Sequence, residues 1–138
     1  MRKIILISCV SKKLPYKAKA RFLYISPLFK KNLSYAQRLE LDAIFILSAK
    51  YGLIDLDQEI EPYDLTLNEM TADQIKMWAD RVLAQLSERA DLRQDHFIFL
   101  AGQKYRKYLL PKLKSYEIPL EGLPIGKQLQ VLTERKIR

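Results

Sequence analysis

A single cysteine and a single histidine stand among 138 residues. One cysteine admits no internal disulfide, and a reduced cytoplasmic setting is the default for such a chain. One cysteine with one histidine cannot build a structural zinc cage or the metal site of a zinc deaminase, so no metal is expected. Glycines number four and prolines six, which excludes fibrous and low-complexity classes. Neither G-x-x-x-x-G-K-[ST] nor G-x-G-x-x-G occurs, so the two commonest phosphate loops are missing and no cofactor is implied. No apolar run approaches the ~20 residues that cross a bilayer, so no membrane partner is expected. The opening MRKIILISCV carries charge and a short apolar run, but Lys12 and Lys13 follow with no small-residue cleavage site. It reads as a first strand rather than a signal peptide.

Acidic residues are missing from the first part of the chain. Residues 1–39 hold ten bases and no acid, and Glu40 is the first carboxylate. The remaining residues carry 14 bases against 16 acids, so the net charge of +8 comes from the amino-terminal block. A block this one-sided suggests a polyanionic partner, although a merely solvated basic face has the same composition. A second basic stretch holds Lys104, Arg106, Lys107, Lys112 and Lys114, interleaved with Tyr105 and Tyr108. Alternation of charge and stacking face suits single-stranded nucleic acid, and it equally suits a helix anchored by tyrosines. The opposite patch is Asp55, Asp57, Glu59, Glu61 and Asp64. With 49% hydrophobic and 29% charged residues, the chain is expected to fold as one globular domain over 1–138.

Continuous β-rich apolar runs at Lys3–Ser8, Ala43–Ser48 and His96–Leu100 have the character of strands covered on both faces, with a weaker fourth candidate at 115–118. Helical patterns separate them. Ser26-Pro27 is an N-cap with proline at the first helical position, and Leu28, Phe29, Leu33 and Ala36 form a stripe reaching about Leu39. Thr71 and Gln74 fit a capping box ahead of Ile75, Trp78, Ala79, Val82, Leu83 and Leu86. Further helices are expected over 102–113 and 124–136, the last with Ile125, Leu129 and Leu132 inward. The alternation predicts a three-layer α/β/α fold on a central, mostly parallel four-stranded sheet.

In open α/β sheets, ligands bind beyond the carboxyl ends of the strands. The segments leaving those ends supply the candidate site: Cys9, Ser11, Lys12 and Lys13, then Tyr24 and Ser26; Ser48, Lys50, Tyr51 and Gly52, then Glu61, Tyr63 and Asp64; Gly102 and Tyr105. Lysines there can meet phosphate, and Lys12 and Lys13 are expected to be exposed. Tyr24, Tyr51, Tyr63 and Tyr105 can stack on a base. Glu61 and Asp64 are the acid–base candidates if the protein is an enzyme. Cys9 can be a nucleophile or a packed, site-lining residue. His96 opens the third strand, roughly 15 Å from Cys9, so a Cys–His dyad is not expected. The serines have no evident His–Asp partner, and a hydrolase triad is not supported.

The ordered strings CVSKK at 9–13, ARFLYISPLF at 20–29, LSAKYGL at 47–53, EPYD at 61–64 and PLEGLPIG at 119–126 resemble the DUF6884 family of bacterial and phage proteins. That resemblance implies distant similarity to the uracil-DNA-glycosylase-like α/β fold and to the core domain of archaeosine synthase, which modifies a 7-deazaguanine base in tRNA. Cys9 and Lys13 keep that enzyme's cysteine-to-lysine spacing, and Pro15-Tyr16 follow with Leu14 inserted. Ser8 stands at its proline position, and the motif's downstream histidine is missing. Three functions stay open: a nucleobase-acting enzyme of glycosylase-like or base-modifying type, a non-catalytic module for nucleic acid or nucleotide, and a regulator that binds an acidic protein.

Overall fold

A computed structural model describes residues 1–8, 12–123 and 125–134. Its centre is a five-stranded sheet of order β4-β3-β1-β6-β7, formed by β1 (Lys3–Ser8), β3 (Ala43–Ser48), β4 (Gly52–Asp55), β6 (His96–Leu100) and β7 (Ser115–Glu117). β1 lies in the middle, parallel to both β3 and β6, and β7 extends the sheet in parallel. The expected four strands are thus joined by a fifth. β4 turns back antiparallel on β3, with Ser48 opposite Gly52. Four residues led by glycine show no strand periodicity, which hides β4 in the sequence. Gly52 has φ +79, and a Cβ there would meet the Gln85 side-chain oxygen. That oxygen accepts from the Leu53 N–H at 2.8 Å, while the Gln85 amide donates to the Tyr51 carbonyl. The glycine is accounted for by backbone geometry and this clamp.

Alternate residues of β1 feed two separate cores, as strand pleating requires. Ile4 and Leu6 pack with Phe45, Leu47, Phe97 and Phe99 beneath α3 (Ala72–Ser87), whose Trp78, Val82 and Leu86 are buried. The capping box of Thr71 and Gln74 starts this helix. Ile5 and Ile7 pack with Ile46, Ile98 and Leu100 on the other face, against Phe29 and Ala36 of α2 (Pro27–Arg38) and Leu132 of α5 (Ile125–Glu134). The inward faces expected of Ile125 and Leu129, and the start of that helix at Pro124, lie outside the described residues. The layers are therefore α/β/α.

Two differences from the sequence reading matter near the site. The 102–113 helix is broken into α4 (Gln103–Arg106) and a 3-10 turn at Leu110–Lys112. Pro111 has no N–H to donate and crowds the preceding turn, which prevents one continuous helix. The long basic loop after β1 also has structure of its own. It contains β2 (Ala18–Lys19) and α1 (Ala20–Leu23), and β2 pairs antiparallel with β5 (Glu59–Ile60). Ala20 and Arg21 donate backbone N–H groups to the Gln58 and Leu56 carbonyls, and Arg21 forms an ion pair with Asp57 at 2.8 Å. The exits of β1 and β3 are knitted together.

A tyrosine rim and a cavity at the strand ends

Ser48 ends β3 and is fully buried. Its hydroxyl accepts from the Tyr51 N–H at 3.0 Å and donates to the Tyr63 oxygen at 2.8 Å. The Tyr63 and Tyr24 hydroxyls share a hydrogen bond at 2.6 Å. The Trp78 indole N–H donates to the Ser48 carbonyl at 2.9 Å. Tyr63 meets Tyr24 and Tyr51 edge-on, with ring centroids 6.4 and 5.7 Å apart. The Lys13 ammonium lies 4.4 Å from the Tyr63 ring centre and 5.7 Å from that of Tyr24. Residues following β1 and β3 thus share one rim.

The rim's chemistry differs from the sequence expectation at several positions. Tyr24 is buried and Lys13 half-buried, so neither is an open contact: the first fills the core and the second is held over aromatic faces. Tyr105 is also buried, edge-on to Trp78 at 5.5 Å. These are corrections to the stacking role of Tyr24 and Tyr105 and to the exposure of Lys13. Tyr51 and Tyr63 are half-buried, Lys12 and Lys50 are exposed, and the Lys50 ammonium lies 5.3 Å from the Tyr51 ring centre. Glu61 and Asp64 are exposed, and only the Glu61 backbone carbonyl is tied to the rim, by the Tyr51 hydroxyl at 3.4 Å. Cys9 and Ser11 lie outside the described residues. Sequence reasoning missed Tyr16 and Phe22, which are 60% and 61% exposed within the basic loop. Their neighbours Lys12, Lys17 and Lys19 are exposed as well. The available signal was spacing: Phe22 lies between buried Ala20 and Leu23 on a single helical turn, where one residue must face out.

On the other side of β1 lies a cavity of about 730 Å³. It sits between the carboxyl ends of β1 and β6, lined both by Phe29 of α2, which packs on one face of the sheet, and by Tyr105 of α4, which packs on the other. This is the crevice that open α/β sheets offer to ligands. Phe29, Phe99, Leu100 and Leu120 supply apolar wall. Ser26, Gly102 and Tyr105 reach it from the predicted site, and Ser8 joins them, its hydroxyl accepting from the Gly102 N–H at 3.1 Å. Ser26 caps α2 by accepting from the Phe29 N–H. At the margin, Arg106 donates to the Ala101 carbonyl and approaches Glu121 at 3.5 Å. Neither Glu61 nor Asp64 lines this space.

His96 stands at the amino end of the sheet, bonded through Nδ1 to the Ser115 hydroxyl at 2.5 Å. Asp95 beside it is buried and accepts backbone N–H groups from Arg2 and Asp91, which hold its carboxyl below the usual carboxylate range. Among the described residues, no group of three or more His, Cys, Asp or Glu side chains is placed to hold a metal ion. No helix among them is long and apolar enough to cross a membrane.

A mostly parallel sheet, helices on both faces and a crevice at the carboxyl ends of its central strands define a three-layer α/β protein of the open-sheet class. Within that class the chain belongs to DUF6884, a family of unknown function, whose model matches residues 4–134. No curated protein matches the chain.

Proposed function

We propose that this protein associates with nucleic acid, holding a single strand along the loop that follows β1. The observation that carries this reading is the pairing of exposed lysines 12, 17 and 19 with the exposed rings of Tyr16 and Phe22. Ammonium groups neutralise phosphates, and open aromatic faces receive unstacked bases. A surface with only one of these features would suit a generic anion or an apolar partner. Binding, rather than chemistry, is the better supported role. The candidate carboxylates Glu61 and Asp64 are exposed and stand apart from the cavity lining, so no enclosure excludes water around them.

Salt titration tests this reading. Each phosphate neutralised on a single strand adds about −0.7 to the log–log slope of affinity against salt, so three lysines give a slope of about −2. Lys12→Ala with Lys17→Ala flattens that slope by about 1.4 and leaves the melting temperature unchanged. A slope near zero, or no binding to single-stranded DNA or RNA at low salt, overturns the proposal.

A further inference from the structure

Asn32 lies one helical turn beyond Phe29 on the inward face of α2 and is only 3% exposed. Its Oδ1 is buried and has no hydrogen-bond partner. A buried carboxamide oxygen left unpaired costs stability, and an apolar residue of similar shape would avoid that cost. The same side chain lines the strand-end cavity. Rotation about χ2 of asparagine is soft, so the amide plane can turn towards an occupant. The cavity lining also includes Phe29, Phe99, Leu120 and Ser8, with Lys104 and with Arg106, whose guanidinium is engaged by the Ala101 carbonyl and Glu121. A mainly apolar space with one unsatisfied amide favours an uncharged flat ring over a phosphate or a carboxylate.

We infer that this cavity takes a planar heterocycle with a lactam edge, an N–H beside a carbonyl, and that Asn32 reads that edge. Oδ1 accepts the ring N–H, and the amide nitrogen donates to the neighbouring carbonyl. Guanine carries this edge, and adenine does not. The inference deepens the nucleic-acid reading, since a strand held on the basic loop can present such a base. It does not require that reading, because a free nucleoside carries the same edge.

The test is titration of the full chain with guanosine, N1-methylguanosine and adenosine, followed by tyrosine and tryptophan fluorescence. Guanosine binds saturably, and N1-methylation or replacement by adenosine weakens binding at least tenfold. Asn32→Leu weakens guanosine to the level of the methylated ligand while its melting temperature stays at or above that of the parent. Asn32→Ser, smaller and polar, supplies the same comparison if the leucine variant does not fold. Equal affinity for all three nucleosides, no saturable binding of guanosine, or unchanged binding in the folded variants overturns the inference. Single strands with and without one guanine distinguish the two sources of the ring. Saturable guanosine binding combined with salt-independent, guanine-blind behaviour towards strands leaves the cavity assignment standing and removes the nucleic-acid reading. Salt-dependent binding to strands without any guanine preference does the reverse.

Discussion

The two sides of β1 differ in how their polar groups are used. On the β3 side, Ser48, Tyr63, Tyr24 and Tyr51 bond to one another, and Lys13 covers the rings. On the β6 side, a cavity of about 730 Å³ has Asn32 in its wall with an oxygen bonded to nothing. Both regions look like sites in the sequence, being rich in small, polar and aromatic residues after a strand. Polar side chains satisfied by one another hold loops in place, whereas an unsatisfied one beside open space leaves work for a ligand. The rim is accordingly the brace that fixes the basic loop, and the cavity is the receptor in the inference drawn above.

That contrast can be broken by mutation. The largest effect is expected at Ser48→Ala. It removes the acceptor for the Tyr51 N–H and the donor to Tyr63 inside a fully buried site, and should cost about 2–3 kcal/mol of unfolding free energy. Chemical denaturation measures it. A cost under about 0.5 kcal/mol, the range of ordinary surface changes, would mean that the network is not a brace.

Asp95, at the far end of the strands, sharpens the comparison, since it too is a paired buried group. Asp95→Asn should cost about 1–2 kcal/mol at neutral pH by weakening two charge-assisted bonds to the Arg2 and Asp91 N–H groups. Its carboxyl is held below the ordinary value, so the contribution is whole above about pH 4 and fades as pH falls through the lowered pKa. Denaturation curves of parent and variant should converge in acid; a gap that widens there would contradict the assignment. The Arg2 guanidinium, 3.7 Å away and half exposed, adds little. The smallest change, and one of opposite sign, is Asn32→Leu, with a gain of up to about 1 kcal/mol from removing an unpaired buried oxygen.

Much of the frame was legible because it rests on strong local patterns. Lys3–Ser8, Ala43–Ser48 and His96–Leu100 are unbroken apolar runs, and their strands have those bounds. The Ser26 cap and the Thr71–Gln74 box are local chemistry. Two-residue β2 and β5 were not legible, since their pairing is decided by contacts some 40 residues apart in the chain, as Ala18 opposite Ile60 shows. Burial of Tyr24 was hidden for the same reason, because its partner Tyr63 comes from another loop. Asn32 was overlooked although it carried a signal. It is the one polar residue on the stripe of Phe29, Leu33 and Ala36, where a helix facing a core has little use for an amide.

The division between brace and receptor is tested most directly by NMR during titration with a short guanine-containing single strand. Shifts should concentrate on the Asn32 side-chain amide and the Gly102 and Gln103 backbone amides at the cavity, with a second group at Tyr16 and Phe22. The Tyr51 amide, bonded to Ser48, should stay in place. Shifts centred on Tyr51 and Tyr63 with Asn32 and Gly102 silent would contradict the account and return the binding centre to the tyrosines.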